Sequence, residues 1–199
     1  MSKVIDAPHA TSAERILSTA LELFAVKGYD ATSVREICEA AGITKPTLYH
    51  FFGSKDGVLQ ALVQTGFQQY RALVSAAMDT SGSFEERVKV LARSVFDSAS
   101  RKPTFWRFIH SVIWAPPGTA LPQTESCTQF YDGVVDVLAA AADRAVARGE
   151  ISPGPTGARM LILMGSISEA ATGFVIAGKP ELTPQLADEI VETIFNGWQ

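Results

Sequence analysis

The chain has 199 residues, of which 47% are hydrophobic, and a formal net charge of −4 at pH 7. This length suits one or two small domains, and the apolar content excludes an intrinsically disordered chain. Cys38 and Cys127 stand alone, without Cys-X-X-Cys or histidine spacing, so neither a disulfide framework nor a zinc site is predicted. A redox sensor built on Cys127 remains an alternative to a simply reduced protein.

Targeting signals are not expected. Residues 1–11 mix charged residues with a proline, have no apolar segment, and are predicted to form a flexible arm. The apolar stretch 160–177 carries Glu169 near its centre, where a charge is costly in lipid, and is interpreted as a buried helix. A cytoplasmic protein without membrane contact is therefore expected.

The first predicted helix runs from Glu14 to Lys27, where apolar residues recur at helical spacing, and Gly28 follows its end. A second short helix is predicted after Ser33, which forms a capping box with Glu36. Its apolar stripe ends at Gly42, where the chain must turn.

A third short helix follows this glycine turn. Thr44 is its predicted cap, and Pro46 is tolerated in the first turn because the N–H groups there have no partner within the helix. Ile43, Leu48 and Phe52 are predicted to face inward, which leaves the polar residues on the outer surface. Ser54 then caps a fourth helix. Two short helices around a glycine turn are typical of a helix-turn-helix DNA-binding motif.

The segment from about residue 12 to 60 resembles the N-terminal domain of TetR-family transcriptional regulators. The resemblance lies in the spacing of Phe24, Gly28-Tyr29, the run Thr32 to Ile37, Gly42-Ile43 and the run Thr47 to Lys55. It implies an all-α chain of about nine helices: an arm (1–11), a helix-turn-helix unit (12–60) and an effector-binding and dimerisation unit (61–199). Below, residues 12–60 are the N-terminal unit and residues 61–199 the C-terminal unit.

The exposed positions of the motif are the candidate DNA contacts. Lys45 is a candidate for guanine O6 and N7, and the ring of Pro46 for a thymine methyl group. A purely structural role is the alternative for Tyr49 and Thr32. The complete candidate set for bases and phosphates is Thr32, Ser33, Thr44, Lys45, Pro46, Thr47, Tyr49, His50 and Lys55.

The charge of this region predicts a modest electrostatic contribution. No acidic residue occurs between Ala40 and Lys55, whereas Lys45 and Lys55 supply positive charge. Because backbone attraction scales with the number of phosphates neutralised, weak non-specific binding and a shallow salt dependence are expected.

Between the predicted turns, every later segment has helical periodicity and none alternates like a strand. The resemblance implies a pocket for a small apolar or aromatic effector in the C-terminal unit. Core packing is the alternative for each candidate, and His110 is more simply a hydrogen-bonded core histidine. The candidate lining consists of Phe67, Tyr70, Trp106, His110, Trp114, Phe130 and Tyr131.

The last two predicted helices have the pattern of a self-association surface. One carries a core-facing apolar stripe beside a stripe of small or polar residues, and the resemblance implies a four-helix bundle across a two-fold axis. Packing inside one subunit is the alternative. The candidate interface consists of Leu161, Gly165, Ser168, Glu169, Thr172, Gly173, Ile190, Ile194 and Trp198.

These observations predict a homodimeric, ligand-responsive repressor of a palindromic DNA operator, without cofactor or metal. The alternative is a helical DNA-binding protein without an effector, controlled by protein partners. A helical enzyme is disfavoured because no catalytic constellation appears in the sequence, and His9, His50 and His110 lie far apart.

Overall fold

A computed structural model describes residues 11–113 and 125–197, with the side chains of residues 125–131 outside the description. All regular structure in this part of the chain is helical, which confirms the predicted all-α class. The helices are α1 (Ser12–Lys27), α2 (Val34–Ala41), α3 (Lys45–Phe52), α4 (Lys55–Met78), α5 (Phe84–Arg101), α6 (Pro103–Ile113), α7 (Glu125–Ala147), α8 (Thr156–Ala177) and α9 (Pro184–Asn196).

The predicted caps of the N-terminal unit are confirmed. Ser33 and Glu36 form the capping box of α2, and Gly42 ends that helix in the left-handed conformation at φ 63° and ψ 41°. The Thr44 side chain accepts a hydrogen bond from the backbone of Thr47, and Ser54 caps α4. These local interactions fix where each short helix begins and ends.

The N-terminal unit packs α1, α2, α3 and the beginning of α4 around one core. Ile16 and Ala20 of α1, Ile37 of α2 and Leu48 of α3 have no exposed side-chain surface. The expected boundary at residue 60 lies inside α4, which continues unbroken for 24 residues into the C-terminal unit. The two units therefore share a helix.

The C-terminal unit is organised around α5, which contacts α4, α6, α7, α8 and α9. Its residues Phe84, Val88, Val95 and Phe96 are buried. Ion pairs from Arg93 and Lys89 of α5 to α9 add to this contact. This unit also meets the N-terminal unit directly, since the rings of Phe24 in α1 and Phe108 in α6 stack with centroids 6.2 Å apart.

Within the described residues, α8 is the single helix with the length and mean hydropathy of a membrane span. It packs against α5, α6, α7 and α9, and its residues Met160, Leu163, Ile167 and Ala171 are buried as predicted. Its opposite face is exposed. The sequence expectation of a buried helix therefore applies to one face only.

The junction between α3 and α4 depends on a close approach at Gly57. A Cβ atom at this position would lie 1.8 Å from the carbonyl oxygen of Phe52. We expect Gly57→Ala to lower the free energy of unfolding by about 1–3 kcal/mol, the usual cost of overpacking, because the backbone of the turn must shift. Thermal or urea unfolding followed by circular dichroism measures this loss.

Gly157 is the matched control for this substitution. It lies in the first turn of α8, and nothing lies within 4 Å of the position that its Cβ atom would take. Gly157→Ala should leave stability unchanged or raise it by up to about 1 kcal/mol, because alanine has the higher helix propensity. Equal effects of the two substitutions would contradict the proposed close approach.

Candidate nucleic-acid interface

The third helix presents most of its side chains to solvent. Leu48 holds α3 against the core and is fully buried, whereas Lys45, Pro46, Tyr49 and His50 are exposed. Thr47 is half-buried, and its hydroxyl group lies 2.9 Å from that of the capping residue Thr44. A single buried anchor on a short helix thus leaves one face available for contact with a partner.

This face is free of negative charge in the described part of the chain. The acidic residues of α2 lie before it and are paired: Glu36 with Lys27 at 2.7 Å, and Glu39 with Arg35 at 3.0 Å. No described carboxylate lies within 4.0 Å of the Lys45 ammonium group, so its charge is available to an anionic partner. This charge distribution suits the edge of a DNA groove.

Glu36 has a second role at the beginning of α2. Its carboxylate accepts hydrogen bonds from the backbone N–H and hydroxyl group of Ser33 as well as from Lys27. These hydrogen bonds, that from Lys27 first, lower the pKa of Glu36 to about 2. The hydroxyl group of Ser33 is exposed but engaged in this capping box, so a phosphate contact by Ser33 remains a prediction.

A cluster of three residues ties the turn between α1 and α2 to the beginning of α4. The Lys55 ammonium group donates to the carbonyl oxygens of Tyr29 and Thr32, both at 2.9 Å, and lies 4.1 Å from the centre of the Tyr29 ring. The Tyr29 hydroxyl group donates to the carboxylate of Asp56. Burial and this hydrogen bond raise the pKa of Tyr29. We call Tyr29, Lys55 and Asp56 the turn cluster.

The turn cluster changes the interpretation of two predicted DNA contacts. Lys55 was expected to contact phosphate, but its ammonium group is held by backbone carbonyls inside the N-terminal unit. Thr32 is 1% exposed and its hydroxyl group donates to the Gly28 carbonyl at 2.8 Å, which favours the structural alternative, so a phosphate contact by Thr32 remains a prediction. Both residues stabilise the unit that positions α3.

The aromatic residue Phe51 of α3 lies outside the predicted set of DNA contacts. It is 48% exposed, the same fraction as Tyr49, and its ring packs edge-on against His50 with centroids 5.3 Å apart. The helical period does not predict this exposure, because Phe51 lies three residues after the buried Leu48 and Phe52 lies four. The exposed surface of α3 therefore carries the Phe51 ring in addition to that of Tyr49.

The predicted effector-pocket residues that the structure describes lie in two places. Trp106 of α6 packs edge-on against Tyr70 of α4 at 6.2 Å, and its indole N–H donates to the Ser98 hydroxyl group at 3.1 Å. His110 forms a hydrogen bond with Thr172 of α8, and burial lowers its pKa. Phe67 is buried in the core. Trp114 and the side chains of Phe130 and Tyr131 lie outside the described residues, so the pocket remains a prediction.

Part of the predicted self-association surface is exposed. Leu161 is 74% exposed, and Gly165 and Glu169 are also exposed, whereas Ile190 and Ile194 of α9 are half-buried against the core. Ile176, absent from the predicted set, is 70% exposed. Trp198 lies outside the described residues.

Two members of that set are better explained by contacts within the subunit. The hydroxyl group of Thr172 bonds to His110 and to the carbonyl oxygen of Ser168, which is half-buried. Gly173 provides room for the following loop, because a Cβ atom there would lie 2.7 Å from the Lys179 carbonyl oxygen. Both residues are therefore reassigned to packing around α8.

Residues 16–62, which contain most of α1, all of α2 and α3 and the beginning of α4, match the family model of bacterial regulatory proteins of the tetR family. The N-terminal unit is thus that of a tetR-family regulator. The match contains both short helices of the motif, the turn between them and the turn cluster.

The curated relatives that this chain resembles are transcriptional regulators. The repressor KstR2 of Rhodococcus jostii is 39% identical over 77 residues, which are 37% of this chain and 38% of KstR2. The activator FasR of Mycolicibacterium smegmatis is 29% identical over 128 residues, which are 62% of this chain and 57% of FasR. The aligned residues thus span about 40% of KstR2 and a little more than half of FasR.

Solved structures extend the likeness of the fold to nearly the whole chain. The fatty acid degradation regulator FadR of Bacillus halodurans has a TM-score of 0.80 at 20% identity, with 96% of this chain and 98% of FadR covered. FadR of Bacillus subtilis in complex with stearoyl-CoA has a TM-score of 0.78 at 20% identity, with coverage of 93% and 98%. At this level of identity the likeness shows a shared fold.

Proposed function

We propose that this chain is a ligand-responsive repressor that binds a palindromic operator as a homodimer. The observation that carries the proposal is the exposed, acid-free face of α3, held by one buried leucine on a compact unit. In helix-turn-helix proteins the second helix of the motif lies in the major groove, with its first residues at the base edges. Lys45 and Pro46 occupy those first positions here.

Because few positive charges face the DNA, binding should depend on shape and hydrogen bonds more than on electrostatic attraction to phosphates. Lys45 is the free cation of α3, whereas Lys55 is committed to the turn cluster. Each phosphate neutralised adds to the salt dependence of binding, so few contacts give a shallow slope. Hydroxyl groups, helix N-termini and the exposed Tyr49 then share the docking.

The two lysines provide a matched test. DNA selected from a random pool supplies an operator, and binding is measured by fluorescence anisotropy over a range of salt concentrations. Lys45→Ala should weaken operator binding by about tenfold and relax the preference at one position of each half-site, while leaving the unfolding temperature unchanged.

Lys55→Met is expected to act through stability instead. It removes two hydrogen bonds from a charged donor, and the N-terminal unit should lose about 1–3 kcal/mol of its free energy of unfolding. The affinity of this variant for operator DNA and its affinity for scrambled DNA should fall by the same factor. If Lys45→Ala weakened both DNAs equally, or if Lys55→Met left stability intact, the assignment of roles would be refuted.

The proposed dimer forms through the exposed face of α8. Leu161, Gly165, Glu169 and Ile176 follow the helical period along one side of this helix, and its two ends carry exposed aliphatic side chains. An apolar face of this kind is stabilised by covering it with another helix, and a second copy of α8 offers the same surface. Two N-terminal units would then bind two half-sites.

Charge inserted into this face should separate the subunits. We expect Leu161→Arg to convert a dimer of 21.4 kDa chains into monomers, because a charge is costly to bury in the apolar part of an interface. Size-exclusion chromatography with light scattering measures the mass. Val26→Arg is the control: Val26 in α1 is 80% exposed but lies outside α8, so its variant should stay dimeric. A monomeric wild-type protein would contradict the proposal.

The proposed effector is a small apolar or aromatic molecule bound in the C-terminal unit. One solved relative of the same fold is in complex with stearoyl-CoA, which supports acyl compounds as the first class to test. An effector shifts the equilibrium between DNA-bound and free forms only by its difference in affinity for the two. Here α4 connects the proposed pocket to α3.

A thermal-shift screen tests the effector. Long-chain acyl-CoAs, free fatty acids and aromatic acids are compared at concentrations well above micromolar, where a ligand present at 100 times its Kd stabilises the protein by about 2.7 kcal/mol. At least one hit should also release operator DNA. Stabilisation by none of them would favour the alternative, a DNA-binding protein controlled by protein partners.

A further inference from the structure

A groove lies where the N-terminal and C-terminal units meet. Its volume is about 390 Å³, and α1, α4, the end of α5 and the start of α6 line it. Of the aromatic residues predicted for the effector pocket, those that the structure describes, Phe67, Tyr70 and Trp106, are absent from its lining. The groove is therefore a separate feature that the proposed function does not use.

The floor of the groove is apolar. Leu17 and Leu21 form one row along α1, Leu62 lies opposite on α4, and the Phe105 ring closes the end. Phe105 reaches this position because α4 has a glycine beneath it: a Cβ atom on Gly66 would lie 2.6 Å from the tip of the Phe105 ring. The half-buried leucines leave apolar surface that a ligand can cover.

The rim of the groove is charged and asymmetric. Glu22 lies on the α1 side, whereas Arg101 and Lys102 lie on the side where α5 ends. Arg101 is already paired with Asp97 at 2.7 Å. The Lys102 ammonium group has only the amide oxygen of Gln69, at 3.5 Å, and no described carboxylate within 4.0 Å. Lys102 is therefore the cation available to a ligand at this end.

We propose that this groove is a second small-molecule site, which takes a compact amphipathic carboxylate. The apolar body lies on Leu17, Leu21 and Phe105, and the carboxylate points to Lys102, away from the like charge of Glu22. The volume is near the lower limit of small-molecule pockets, about 300–1,000 Å³. A ligand of one or two rings fits this space.

A ligand in this groove would contact both units of the chain and could therefore influence the angle between them. The walls of the groove belong to α1 on one side and to the connection between α5 and α6 on the other, so the bound ligand contacts both units. Any change in the angle between the units would alter the groove and hence the affinity. This consequence rests on the proposed function, whereas ligand binding itself does not.

Isothermal titration calorimetry on the DNA-free, full-length protein tests the site. Three probes share one ring system and differ in charge: 2-naphthoate, 2-naphthylmethanol and 2-naphthylmethylamine. We expect the carboxylate to bind most tightly and the amine least. Lys102→Met keeps the aliphatic stem and should weaken 2-naphthoate by about fivefold, as for a solvent-accessible ion pair, while leaving the alcohol unchanged.

Two further variants locate the binding. Ser18→Phe fills the groove from its α1 wall and should abolish binding of all three probes, with folding checked by circular dichroism. Lys179→Met, in the loop after α8, removes a positive charge outside the groove and should change nothing. Undiminished binding to Ser18→Phe, or equal affinity of the wild-type protein and Lys102→Met for 2-naphthoate, would overturn the proposal. Because no DNA is present, this outcome is independent of whether the chain is a repressor.

Discussion

The placement of α3 depends on the hydrogen bonds that Lys55 donates to the turn between α1 and α2. One ammonium group donates to two carbonyl oxygens outside the helices, of which that of Tyr29 also accepts the backbone N–H of Thr32, and the ring of Tyr29 lies beside it. Such groups are costly when buried without partners. The interaction fixes the beginning of α4 against the first two helices, and the short helix between these elements has little freedom left. The face proposed to contact DNA is thus positioned by residues whose polar groups are engaged within the chain.

The sequence predicted the N-terminal unit well because its signals are local. The capping box of Ser33 with Glu36, the left-handed Gly42 and the cap at Thr44 each involve residues within three or four positions of one another. The turn cluster was missed for the opposite reason. Lys55 lies 23 and 26 positions from its two carbonyl partners, and no periodicity connects residues so far apart. Because Lys55 follows a segment without acidic residues, the sequence predicted a phosphate contact for it, whereas its partners in the structure are backbone carbonyl oxygens.

The C-terminal unit was less predictable, since aromatic residues at helical spacing give the same pattern in a core and in a pocket. Phe67 belongs to the core, and Trp106 has both a ring partner and a hydrogen-bond partner within the chain. Small residues raise the same ambiguity. Gly165 lies on an open face, while Gly173 accommodates a loop of its own subunit. Only the three-dimensional packing separates these cases. The groove beside α1 is likewise formed by four helices whose relative positions no local pattern specifies.

The unbroken course of α4 has a geometric consequence. A helix of 24 residues is about 36 Å long at ~1.5 Å per residue, and its first turn is fixed to the α3 side by the turn cluster. It acts as a lever: a tilt of only about 5° at the far end would carry the first turn through roughly 3 Å, about the height of one base pair. In the proposed dimer, two α4 helices related by a two-fold axis would double the change in distance between the two α3 helices. A small rearrangement around the proposed effector pocket would therefore move α3 by a distance comparable with the spacing of base pairs.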